Sequence, residues 1–207
     1  MDTRLETPVG ELVEFLHAHI REWCGMNPIH EKWPRKSCAE LAQWIAKTAG
    51  EQLRMITEDF DNKAVYPERP MIQLSGQNEG EPTTWLLGWR AGEATPIHDH
   101  GDSQAGIYVF EGAISEHIYV PHVELEHIGD ESPYRMVVRE LLEGSTVRIT
   151  SPYVHLFTKT CEGHDCVHAT TIHCYWPRLM MMNYLAIQGD EPETGVIRFV
   201  DVWQDVG

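Results

Sequence analysis

What this chain has little of is positive charge: 16 Lys and Arg stand against 32 Asp and Glu, a formal net charge of -16. The basic residues form no stripe able to neutralise a run of phosphates, so nucleic acid is not expected as a partner. Long hydrophobic runs are missing too. The longest apolar stretches, such as Leu179 to Ile187, fall far short of the ~20 residues with which a helix crosses a bilayer, which argues against a membrane partner. The N-terminus shows no basic region leading into an apolar run, so no secretory signal is expected and the cytoplasm is the default location. Cysteines are few and odd in number. Cys24, Cys38, Cys161, Cys166 and Cys174 follow no regular framework and read as reduced thiols rather than staples.

What is there suffices for one well-packed unit. A length of 207 residues supports one full-sized core, and the 42% apolar fraction with seven Trp supplies its material. Twelve histidines without an oligohistidine run point to metal binding. Residues 1–62 read as a helical segment packed on a β-domain at 63–207. Thr7 and Pro8 suit a helix start, and Leu12, Phe15, Leu16, His19 and Ile20 then share one face. Asn27-Pro28 and Trp33-Pro34 interrupt the pattern. Ser37 and Glu40 have capping-box spacing before a stripe through Leu41, Trp44, Ile45, Leu53 and Ile56.

From about Thr83 the period changes. Short strand patterns at 84–89, 104–110, 113–120, 136–142, 145–149, 154–159, 169–175, 179–186 and 196–200 are separated by Gly, Pro and acidic turns. Such spacing predicts a mainly β sandwich or barrel, most economically a jelly roll with an N-terminal α-helical elaboration.

The segment Pro96-Ile97-His98-Asp99-His100 places two imidazoles two residues apart, on one face of an extended chain, with Asp99 on the other. Imidazole suits iron, zinc, copper or nickel, and two ligands on one strand make half a site. With Gly92 ahead and Gly112 at the following turn, the segment resembles the first motif of the cupins, which implies a double-stranded β-helix. The carboxylate that usually follows the pair in that motif falls on Ala105. A third neutral ligand is then expected, leaving a more positive metal. Ser151-Pro152-Tyr153-Val154-His155, after Gly144, resembles the second cupin motif and makes His155 the best third candidate, with His164 and His168 as substitutes.

A further segment narrows the resemblance. Thr171-Ile172-His173-Cys174-Tyr175-Trp176-Pro177 is similar to the Ser-His-Tyr relay of cysteine dioxygenase and related bacterial thiol dioxygenases, with Thr for Ser, and Pro96 to Ser103 matches the same family's metal motif. The resemblance covers roughly Tyr66 to Pro177 and implies iron(II) on His98, His100 and His155. It also implies O2 as co-substrate, and a small thiol such as cysteine or 3-mercaptopropionate oxidised to a sulfinate. Tyr175, His173 and Thr171 would form the relay. In the family an arginine meets the substrate carboxylate; Arg69 is its nearest counterpart and Arg90 the runner-up. The Cys–Tyr cross-link of some relatives has no cysteine here, since Ala105 holds its position. The protein is expected as a monomer or small homo-oligomer.

Cys161, His164, Cys166 and His168 invite a zinc reading, but the spacing is tighter than that of paired zinc knuckles and a solvated connector is preferred. His17, His19, His30, His117, His122 and His127 form no ligand constellation. Two other functions stay open at this level: a cupin oxygenase acting on a non-thiol small acid, and a non-catalytic cupin that binds a metal or small molecule.

Overall fold

The computed structural model describes residues 6–26, 36–77, 80–121, 134–150, 153–159, 168–191 and 196–204. Three helices, α1 (Glu6–Met26), α2 (Lys36–Thr48) and α3 (Gly50–Thr57), precede the strands. These are β1 (Met71–Ser75), β2 (Thr83–Trp89), β3 (Ile97–Asp99), β4 (Gln104–Glu111), β5 (Ala113–Pro121) and β6 (Tyr134–Leu142), followed by β7 (Thr146–Ile149), β8 (Val154–Thr158), β9 (Ala169–Trp176), β10 (Met182–Glu191) and β11 (Val196–Gln204). Among the described residues no helix is long and apolar enough to cross a membrane.

All strand pairs are antiparallel. One sheet runs β1-β2-β9-β4-β7, and the other strands close on themselves in the order β10-β11-β6-β5-β8-β3. This is the jelly roll with N-terminal helices that the strand spacing predicted, in the form of the double-stranded β-helix that the motif resemblance implied. Two strands escaped that reading. β1 is short and its alternation is blurred by partial exposure, and β3 is only three residues long, too short for a period to register.

The helices bury the outer face of the first sheet. Leu12, Leu16 and Ile20 of α1, Leu41 and Ile45 of α2 and Leu53 of α3 pack with Leu74, Leu86, Ile172 and Cys174 from β1, β2 and β9. A second core, between the sheets, joins Trp89, Ala105, Ile107, Val147, Phe157 and Tyr175. With both faces covered, β9 is buried from Ala169 to Tyr175. Its alternation therefore sorts residues between two interiors: Ile172 and Cys174 under the helices, Thr171, His173 and Tyr175 toward the barrel.

α2 lies very close to β4. A Cβ on Gly106 would collide with the backbone of Cys38 and Ala39, so only glycine admits the helix at that depth. α2 starts at Lys36, one residue before the expected Ser37 cap. The break expected at Trp33-Pro34 and the zinc-like residues Cys161, His164 and Cys166 lie outside the described residues.

Candidate metal centre and its hydrogen-bond chain

Strand β3 runs between β8 and β10 and brings its histidine to the barrel interior. His98 stands opposite His155 on one side and opposite Tyr184 on the other. Asp99 points away, accepting hydrogen bonds from the backbone N–H of Gly101 at 2.7 Å and from Asn183 Nδ2 at 2.8 Å. These bonds tie the turn that follows His100, which lies two residues on from His98 and converges with it.

One ligand atom from each of His98, His100 and His155 lies within 4.8 Å of the others. The ring centroids are 4.7 Å apart for His98 and His155, and 5.1 Å for each of the pairs with His100. All three side chains are buried. The Nδ1–H of His98 donates to the carbonyl of Pro96 at 2.8 Å, and the Nδ1–H of His155 donates to Glu116 Oε1 at 2.9 Å. Each of these two rings thus offers Nε2 to the cluster. Nε2 of His155 and both nitrogens of His100 are buried with no hydrogen-bond partner among the described residues.

Buried orphan nitrogens cost free energy unless something satisfies them. A cation would do so here. Burial is the main cause that holds all three imidazoles below the ordinary histidine range, with mutual repulsion adding to it for His100 and His155. Neutral nitrogens are the form a metal needs. Three imidazoles with no carboxylate fit iron(II), and equally zinc, copper or nickel.

Beside the cluster lies a chain of hydrogen bonds on β9. Thr171 Oγ1 is 2.8 Å from His173 Nε2, and His173 Nδ1 is 3.1 Å from the Tyr175 hydroxyl. The Tyr175 and His100 rings are 5.1 Å apart. Trp89 adds a member that sequence reasoning missed: its indole N–H donates to Thr171 Oγ1 at 2.8 Å.

That donor sets the direction of the chain. An indole N–H can only donate, so it occupies a lone pair of Thr171. The Thr171 proton then has His173 Nε2 as its acceptor among the described residues. Burial lowers His173 well below the histidine range, so it is neutral with a single ring proton. That proton sits on Nδ1 and is donated to the Tyr175 oxygen. Burial also raises Tyr175, which keeps its phenolic proton. The proton is left free to face the metal cluster.

The two candidate arginines separate. Arg90 donates to the carbonyls of Phe60 at 3.0 Å, Glu68 at 3.1 Å and Tyr66 at 2.5 Å, and it pairs with Glu93 at 3.5 Å. Its fork is filled by backbone, and Arg90 clamps the segment that leads to Arg69. The guanidinium of Arg69 lies over the Trp89 ring, 4.8 Å from its centroid. Its donors meet only the sulfur of Met71, at 3.9 Å, among the described residues. Burial lowers Arg69 against the opposing charge of Glu93, and its own charge helps lower His98 and His173.

His168, a substitute third ligand in the sequence reading, is elsewhere. Its Nδ1 is 3.0 Å from Asp61 and its Nε2 is 3.5 Å from Glu111. Glu116 and Tyr184 were also missed. Glu116 had a signal, since it is a charged residue between Ile114 and Ile118 on the inward side of β5; Tyr184 had none short of the β3–β10 pairing.

Known proteins share features with this chain at two levels. Among solved structures, TT1209 from Thermus thermophilus is 15% identical, covering 54% of this chain and 86% of that one, with a TM-score of 0.40. A double-stranded β-helix domain protein from Klebsiella pneumoniae subsp. pneumoniae MGH 78578 is 14% identical over 53% and 73%, with a TM-score of 0.38. The vicilin from Solanum melongena is 15% identical over 55% and 28%, with a TM-score of 0.41. The family model described as cysteine dioxygenase type I matches residues 58–186, a span that holds the three histidines, Arg69, Trp89 and the Thr171-His173-Tyr175 chain. This protein therefore belongs to the cysteine dioxygenase type I family and is a cysteine-dioxygenase-like cupin.

Proposed function

We propose that the protein is an iron(II) dioxygenase that adds both atoms of O2 to the sulfur of a small thiol, of the cysteine or 3-mercaptopropionate type, to give a sulfinate. The single observation that carries this reading is the directed chain from Trp89 through Thr171 and His173 to Tyr175, ending beside three convergent imidazoles. A cupin that only bound a metal would have no use for a buried phenol held with its proton toward the site.

Iron(II) on His98, His100 and His155 would supply a Lewis acid that lowers the thiol pKa and a centre that activates dioxygen. The protein's own groups do the rest. Arg69, whose donors meet only the sulfur of Met71 among the described residues and whose guanidinium lies over the Trp89 ring, pairs with a substrate carboxylate. The Tyr175 hydroxyl donates a hydrogen bond to the reacting atoms, and His173 and Thr171 keep it pointed there. The buried walls exclude bulk water, which strengthens both contacts. The reaction closes without a reductant: two S–O bonds form as the O–O bond breaks, and the four electrons sulfur gives up reduce dioxygen.

The test is oxygen uptake by anaerobically purified, metal-analysed protein across cysteine, 3-mercaptopropionate and cysteamine, with non-thiol acids alongside. The expected result is one O2 consumed per sulfinate formed, with a carboxylate-bearing thiol preferred. No uptake with any thiol at full iron occupancy overturns the reading, and uptake with a non-thiol acid alone moves the protein to a different cupin oxygenase.

A further inference from the structure

Glu116 is a carboxylate with no exposure to solvent. Such burial is costly unless both oxygens are satisfied. Here they are satisfied in opposite directions. Oε1 accepts the Nδ1–H of His155 at 2.9 Å, while Oε2 accepts from Arg139 Nε at 2.5 Å. Arg139 Nη2 also reaches the Tyr153 oxygen at 3.4 Å. Strand register builds this contact: β5 lies between β6 and β8, with Glu116 opposite Arg139 on one side and Ile118 opposite His155 on the other.

The three metal-facing histidines are held differently at their far nitrogens. His98 donates to a neutral carbonyl, and neither nitrogen of His100 has a partner among the described residues. His155 alone is backed by a carboxylate. A cross-strand ion pair with Arg139 would account for Oε2, but it gives no reason for Oε1 to lie on the ligand.

We propose that Glu116 is a positioning residue of the metal centre, which fixes the Nδ1–H tautomer of His155 and places one negative charge a single hydrogen bond away from an otherwise neutral ligand set. The motif position where cupins usually carry a coordinating carboxylate is Ala105 here. Glu116 sets a carboxylate, itself paired with Arg139, behind His155 from outside the coordination sphere, so it strengthens the grip on the cation without occupying a position that substrate needs. Arg139 holds the second oxygen and keeps the carboxylate from turning inward to become a ligand. A partner of this kind raises the donor strength of its imidazole, and its loss typically weakens metal binding about ten- to a hundredfold.

This inference rests on the metal-centre reading above but not on the thiol reaction, and its test uses binding alone. Cobalt(II) affinity is measured by chelator competition for the wild type, Glu116→Gln and His155→Ala, with the melting temperature of each metal-free protein as the check on folding. Glu116→Gln keeps an acceptor for the Nδ1–H while removing the charge. It is expected to fold, to bind cobalt about ten- to a hundredfold more weakly and to shift the visible cobalt absorption. Wild-type affinity in Glu116→Gln with binding lost in His155→Ala overturns the role of Glu116 and leaves the metal centre standing. Wild-type affinity in both removes the metal centre itself. Should Glu116→Gln fail to fold, zinc-loaded wild-type protein labelled with 15N at histidine reads the same point: the His155 Nδ1–H must appear as a slowly exchanging downfield resonance, and its absence overturns the proposal.

Discussion

Trp89 donates its indole N–H to Thr171 at 2.8 Å while carrying the guanidinium of Arg69 on its ring face. One fully buried side chain thus orients the two groups that would meet opposite ends of a substrate. Trp89→Phe keeps most of the apolar volume and removes the donor. The expected result is bound metal at the wild-type level, turnover reduced about tenfold as the His173 proton is no longer confined to Nδ1, and a higher KM as Arg69 loses part of its support. Histidine 15N shifts check the tautomer directly. A His173 still protonated only at Nδ1 would refute the directional role.

Single replacement of His98, His100 or His155 by Ala should remove most of the bound metal, since each takes away one of three imidazoles. Metal analysis after anaerobic purification checks this. Full occupancy in the His155 variant would move the third ligand to another residue.

Tyr175→Phe should retain metal and fold but lose about tenfold to a thousandfold in turnover, the usual cost of a positioned donor whose bond strengthens in the transition state. Thr171→Ala acts only through His173 and should be milder. Wild-type turnover of thiols by Tyr175→Phe would sink the relay assignment.

Arg69→Met should lower kcat/KM for 3-mercaptopropionate by roughly ten- to a hundredfold, the worth of a hydrogen-bonded charge pair, and leave cysteamine, which has no carboxylate, little changed. Equal losses on both thiols would show a structural defect rather than a lost carboxylate contact. The same pair of substrates should not distinguish Arg90→Met, whose effect falls on the Tyr66–Glu68 segment and therefore on stability.

The metal-free protein should lose stability in acid. His98, His100, His155 and His173 are all lowered in the folded state, chiefly by burial, while in the unfolded chain they titrate near ~6.5. Below that pH the unfolded chain binds more protons, so the stabilisation present above it is lost as pH falls, by up to about 1.4 kcal/mol per pH unit for each histidine. Glu116 is raised by burial and works in the opposite sense, but it is one group against four. Thermal melts of apo protein from about pH 8 to about pH 5.5, a window that brackets the unfolded histidine range, check this, and a flat melting temperature would contradict it.

The legible part of the site was the part carried by local spacing. His98 and His100, and Thr171, His173 and Tyr175, lie two residues apart on extended chain, so each set declares a shared face without reference to the rest of the molecule. His155 needed a motif resemblance, because its place opposite His98 depends on strand pairing between segments far apart in the chain. Trp89 read as one more core aromatic, since its donor role requires knowing that Thr171 of β9 is nearby. The different surroundings of Arg69 and Arg90 lay beyond the sequence: they depend on where the carbonyls of Phe60, Tyr66 and Glu68 point, and backbone direction leaves no mark on residue identity. The helices and most strands were visible in their periods, while β1 and β3 were too short or too exposed to show one.

The pairing of β4 with β9 sets Ala105 opposite Tyr175, where a methyl group faces the phenol. No sulfur stands there to be joined to the ring by oxidation. Under the proposed function, activity therefore needs no cross-link between these two positions to mature through early turnovers. Freshly made and long-used preparations should share one mass, one electrophoretic band and one specific activity, and progress curves should begin without a lag.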